Sequence, residues 1–159
     1  MDYFQFEERI KQLVSSASEA ARYRFGRDTI RLLHRAAWDT FWEEFSDEAR
    51  PLLADILADI DIQSTDELKE KVKRLRNSME IDPDDFIPEI TDLLNAIDNW
   101  LAYRATRNPR FIERIAIDMV NSLDYYIGGD TGEYSTDNML GAPEMREEFH
   151  RQAHFLAGE

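Results

Sequence analysis

The sequence predicts an all-α, single-domain antiparallel bundle of six to seven helices over residues 1–159. Apolar residues recur at helical spacing from one end of the chain to the other, and the strict alternation of a half-buried strand is missing. The links between the periodic stretches are short, as neighbouring antiparallel helices require. With 159 residues, 43% hydrophobic and 11% aromatic, there is material for one core, and the chain is below the size at which cores divide. Helix should exceed about 60% of the residues, well above the average for globular domains.

The first helix is expected near Tyr3 to Phe25, with Phe6, Ile10, Leu13, Val14, Ala17 and Ala21 on its apolar face and Gly26 ending it. Asp28 is placed to cap a second helix, Thr29 to Phe45, whose Ile30, Leu33, Ala37, Trp38, Phe41 and Phe45 form one stripe with Trp42 beside it. Ser46 and Pro51 restart the chain in a short helix through Leu52, Leu53, Ile56 and Leu57. Ser64 and Glu67 have capping-box spacing and open a helix to about Asn77. Its Lys69, Lys71, Lys73, Arg74 and Arg76 make the only dense basic strip. The stretch Asp82-Pro83-Asp84-Asp85-Phe86-Ile87-Pro88 reads as a turn. Ile90, Leu93, Leu94, Ile97 and Leu101 line the next helix, which Asn108-Pro109 stops, and Phe111, Ile112, Ile115, Met119, Val120, Leu123 and Ile127 line another, so that the two could pair as a hairpin. Gly128 to Asn138 is the one long polar loop, and Pro143 starts a last helix through Met145, Phe149, Gln152 and Phe155. Core positions should include Leu33, Ala37, Phe41, Leu94, Ile97, Leu101, Ile115 and Met119.

Charge carries the most functional information. The formal net charge is −14. From Asn77 to Tyr103 there is no Lys or Arg, while Glu80, Asp82, Asp84, Asp85, Glu89, Asp92 and Asp98 fall inside. A second base-free run, Ile115 to Met145, holds Asp118, Asp124, Asp130, Glu133, Asp137 and Glu144. Because apolar residues at helical spacing run through both, they read as folded helices with acidic outer faces and not as a disordered tail. Such a surface repels nucleic acid, since each phosphate contact needs a placed Lys or Arg, and attracts basic protein. Cysteine is absent, which removes disulfides, thiolate nucleophiles and zinc-thiolate sites and fits a reducing, cytoplasmic setting. The start Met1-Asp2-Tyr3-Phe4 has no basic n-region, and no apolar run approaches a membrane span.

Phe25-Gly26 before a helix with Trp38, then Asp84-Asp85-Phe86 leading to Ala96-Ile97-Asp98, and Leu140 to Gln152 with Pro143, Glu147 and Gln152, form an order of signals similar to the bacterial domain-of-unknown-function family numbered 416. The similarity covers about two thirds of the chain. It departs at Ser18-Glu19-Ala20-Ala21-Arg22, where members carry a Cys-Glu-Arg stretch and a Pro-Asn-Tyr turn. The resemblance implies an all-helical bundle and brings no activity or catalytic residues.

Candidate chemical sites compete with plainer readings. Glu147, His150 and His154 fall on one helical face at a spacing able to hold a divalent metal, although the glutamate that follows the first histidine of a metalloprotease helix is absent and a further ligand is needed. Asp130-Thr131-Gly132 has the order of an aspartic-protease triplet but occurs once, between helices, where that chemistry needs two facing carboxylates. Gly128 to Gly132 lacks the Lys of a phosphate cradle, and Asp130, Glu133 and Asp137 miss the calcium-loop spacing. His34 reads as a histidine at the core edge. Trp38, Phe41, Trp42 and Phe45 are too dense for one stripe, which leaves Trp42 as a candidate contact residue.

The expectation is therefore a protein without cofactor or resident metal, an inhibitor of the bacterial immunity type that neutralises a basic partner such as a toxin domain. Asp82, Asp84, Asp85, Glu89, Asp92 and Asp98 would align the partner, and Trp42, Tyr125 and Tyr126 would anchor it. A metal-assisted enzyme using Glu147, His150 and His154 is the alternative. A self-associating helical module, a homodimer in the simplest case, is the third reading.

Overall fold

The computed structural model describes residues 1–79, 85, 88–127 and 138–158, the side chains of 40–42 excepted. Of the described residues 83% are helical and none belongs to a sheet. Among the described residues seven α-helices follow in order: α1 (Tyr3–Ser16), α2 (Glu19–Phe41), α3 (Ala49–Ala58), α4 (Thr65–Ser78), α5 (Pro88–Thr106), α6 (Arg110–Ile127) and α7 (Pro143–Ala157), with a 3-10 turn (Trp42–Glu44) after α2. The bundle class expected from periodicity is the one observed. None of these helices is long and apolar enough to cross a membrane.

The one large boundary error falls at the start. The chain breaks at Ala17-Ser18, not at Gly26. Ala17 is extended (φ −71°, ψ 152°), and the Ser18 hydroxyl accepts from the Ala21 N–H at 3.1 Å, capping α2. Arg22 reaches back to the carbonyls of Val14 (2.8 Å) and Ser15 (3.0 Å) in the last turn of α1. Gly26 instead sits inside α2 for the sake of packing. A Cβ there would lie 2.8 Å from Trp100 Cζ3 and 2.9 Å from Ile112 Cδ1, so only glycine lets α2 approach α5 and α6 this closely. The close approach offsets the roughly 1 kcal/mol that glycine costs a helix interior relative to alanine. Asp28 and Thr29, expected at a helix start, are mid-helix, with Thr29 fully buried.

Later boundaries follow their signals. Ser46 Oγ accepts from Ala49 N–H (3.0 Å) and donates to the Ser78 carbonyl (2.8 Å), tying the start of α3 to the end of α4. Ser64 caps α4 by accepting from Glu67 N–H. Pro143 opens α7, and Arg107, at φ 58°, closes α5 in the left-handed region before Asn108-Pro109.

The expected α5–α6 hairpin is the most extensive helix pair, and α2 lies across both members. α1 and α7 pack on α6, and α3 with α4 forms a second hairpin joined to α5 through α4. Trp100, fully buried, donates its indole N–H to the Ile60 carbonyl just past α3 (3.1 Å), and Arg104 donates to the same oxygen (2.9 Å). Tyr23 adds a bond to the Asp61 carbonyl (3.0 Å) while its ring packs 4.8 Å from Trp100. The core contains Leu33, Ala37, Leu94, Ile97, Leu101 and Ile115 as expected; Met119 is only half-buried against it, and the Phe41 side chain lies outside the described residues.

Candidate functional site

The structure divides the expected acidic face. Asp82 and Asp84 lie outside the described residues, as do Asp130, Glu133 and Asp137 and the side chain of Trp42. Asp85 is exposed. Asp98 is exposed as well, but its carboxylate is ion-paired with Arg76 of α4, as Asp55 is with Lys71, so the basic strip is partly used within the chain. Glu89 and Asp92 correct the expectation of a solvated face, being only 8% and 9% exposed. The physical reason is the place of α5, which α2, α4 and α6 all pack against. With neighbours on several sides, its acidic positions are covered along with its apolar ones.

What this burial creates is a carboxylate cluster across the α5–α6 hairpin. Glu89 and Asp92 stand one turn apart on α5, and Asp118 (9% exposed) comes near Asp92 from α6, one turn before buried Ser122. Burial, together with the negative charge of Glu89, pushes Asp92 up to about 6. Burial pushes Asp118 further, to about 7, with Asp92 adding to the effect and the Asn99 side-chain amide, which donates to Asp118 Oδ2 at 3.2 Å, opposing it. The base-free run leaves Asp92 without a cation on its own helix, because no Lys or Arg on α5 precedes Arg104, while the charge of Arg114 on α6 opposes the rise of Asp118 only in part. Glu89 has one oxygen, Oε2, that is buried with no hydrogen-bond partner among the described residues.

Glu89 also lines a pocket of about 210 Å³ with Leu33 and Ala36 of α2 and Met119, Ser122, Leu123 and Tyr126 of α6. Tyr125 and Tyr126, the expected anchors, are 55% and 75% exposed at the end of α6. Glu89 and Tyr126 therefore meet at one pocket, while Asp98 lies elsewhere, in a shallow groove of mixed charge with Asp118, Arg110 and Arg114. A larger groove, about 970 Å³ between α1 and α6, is lined by charges of both signs and exposed Phe4.

The metal alternative does not gather its ligands. Glu147, His150 and His154 are exposed on α7, and among the described residues no group of three or more His, Asp or Glu side chains is placed to hold a metal ion. On α7 Met145 and Gln152 are buried as read in the sequence, but Glu148 and Leu156 complete the buried face while Phe149 and Phe155 are only partly buried. Glu148, which sequence reasoning missed, takes Arg151 Nε (2.8 Å) and Nη2 (2.7 Å) on its two oxygens and Gln152 Nε2 at 2.8 Å. Arg151 also donates to Thr29 Oγ1 (2.9 Å) and lies over Phe25, and Gln152 donates to the Ala116 carbonyl (3.2 Å). The available signal was the spacing of Met145, Glu148, Gln152 and Leu156, a regular helical stripe with an acid in it. His34 is half-buried with its ring 5.5 Å from Trp38, and burial lowers its pKa. No family model, no curated protein and no solved structure matches this chain.

Proposed function

We propose that this protein is an acidic helical binding module of the inhibitor or immunity class, engaging a basic protein partner such as a bacterial toxin domain. The observation that carries the reading is the meeting of Glu89 and exposed Tyr126, from different helices, at one pocket, with Tyr125 also exposed at the same end of α6. Aromatic residues that are apolar in body and polar at the tip are favoured interface anchors, and a carboxylate beneath them selects a cationic group. The net charge of −14 supplies long-range attraction for a basic protein and repulsion of nucleic acid. The similarity to the helical family of unknown function belongs to the same proposal and adds the bundle frame alone.

The test is affinity capture from lysate of the native host with wild type and a Tyr125→Ala, Tyr126→Ala double variant. Both tyrosines are more than half exposed, so the helical spectrum should not change. Wild type should retain a basic protein that the variant loses, and retention should weaken as ionic strength passes the screening regime. Equal retention by both, or only acidic proteins captured, would end this reading.

A further inference from the structure

Resting on that reading, we infer that the Glu89 pocket is the receptor for a single lysine side chain of the partner, with its methylenes against the apolar walls and its ammonium on Glu89. Glu89 is more than nine-tenths buried, and its Oε2 has no donor among the described residues. A buried carboxylate oxygen of this kind lacks a partner that a binding protein can bring. The walls around it, Leu33, Ala36, Met119 and Tyr126, are apolar in what they offer, and Ser122 adds one hydroxyl to the lining.

Size and donor number select the occupant. The volume, about 210 Å³, is below the roughly 300 Å³ at which pockets for drug-sized ligands begin, yet several times the roughly 30 Å³ share of one water. One long side chain fits that interval. Arginine brings five donors in a rigid plane and needs more acceptors than one carboxylate and one hydroxyl, whereas lysine brings a flexible apolar stem and a compact ammonium. Along the stem, burial against Leu33 and Met119 contributes as any apolar contact does.

The test uses Nα-acetyl-lysine N-methylamide as probe, with the norleucine and arginine analogues beside it, titrated into isotope-labelled full-length protein and followed by two-dimensional NMR. The lysine analogue should give saturable shifts at Ser122 and Tyr126, with affinity about tenfold or more above norleucine, the worth of one hydrogen bond to a charged group. Glu89→Gln should reduce lysine to the norleucine level. Ala36→Leu, which fills the pocket mouth from an exposed helix position, should abolish the shifts and stands as the second variant if Glu89→Gln folds poorly. Norleucine binding as well as lysine, arginine binding more tightly, or lysine shifts surviving both substitutions would each overturn the inference. Its fate separates from that of the binding module. Lysine held at Glu89 with no basic protein captured keeps the pocket and ends the module reading. A basic partner captured equally by wild type and Glu89→Gln keeps the module and ends the lysine receptor.

Discussion

Glu148 and Glu89 are buried to nearly the same degree, 6% and 8% exposed, and end in opposite electrostatic situations. Glu148 has Arg151 three residues on, Gln152 four residues on and, through Arg151, Thr29 of another helix. Its charge is compensated by neighbours on its own helix and helps fix α7 against α2. Glu89 lies in a stretch with no base from Asn77 to Tyr103, and its neighbour in the fold is Asp92, whose pKa the charge of Glu89 helps to raise, as the charge of Asp92 helps to raise that of Asp118. The contrast separates two uses of a buried acid. One is completed inside the chain and is structural, and the other keeps a buried oxygen without a hydrogen bond among the described residues.

The sharpest way to break the contrast is to strip Glu148 of its cation. Arg151→Met leaves a buried carboxylate with only Gln152 and should cost about 3 to 5 kcal/mol, the range for removing one member of a buried pair. Urea denaturation measures it; a cost under about 1 kcal/mol would place the pair with ordinary surface bridges.

Next in size is a gain. The folded-state pKa of Asp118, about 7, lies above its ordinary 3.8, so the folded chain holds the proton more tightly than the unfolded one. The stability this group contributes is whole below about pH 4 and is lost as pH rises through about 7. Asp118→Asn should therefore leave stability near wild type at pH 4 and raise it by about 2 to 4 kcal/mol at pH 8. A difference that does not change with pH would show that Asp118 is solvated like a surface acid.

Glu89→Gln should move stability by less than about 1 kcal/mol, because no hydrogen bond to Oε2 is lost, in contrast to any change at Glu148. It should also lower the pKa of Asp92 toward the ordinary carboxylate range, since the charge of Glu89 is one of the two causes that raise it. NMR titration of the Asp92 carboxyl reads this directly, and an unmoved Asp92 would mean that burial acts alone. The smallest effect belongs to Asp98, whose bridge to Arg76 has side chains 50% and 40% exposed. Asp98→Asn should change stability by no more than about 0.5 kcal/mol, and a larger loss in thermal denaturation would lift this bridge into the class of Glu148.

By itself the sequence determined the helical class, the positions of α3 to α7 and most of the core, because amphipathic periodicity and caps such as Ser46, Ser64 and Pro143 act within a few residues of themselves. It also determined that Glu89 and Asp92 would find no base nearby along the chain. It misplaced the break between α1 and α2, since the role of Gly26 depends on Trp100 and Ile112, more than seventy residues away. Tertiary structure alone decided that Glu89 and Asp92 are buried while Tyr125 and Tyr126 are exposed, that Asp98 pairs with Arg76, and that Glu148 faces inward. The reason is that periodicity states which face of a helix is apolar, while the number of neighbours around the helix decides how much of its polar face is covered. α5, packed against α2, α4 and α6, covers acids that an outer helix would have left in water.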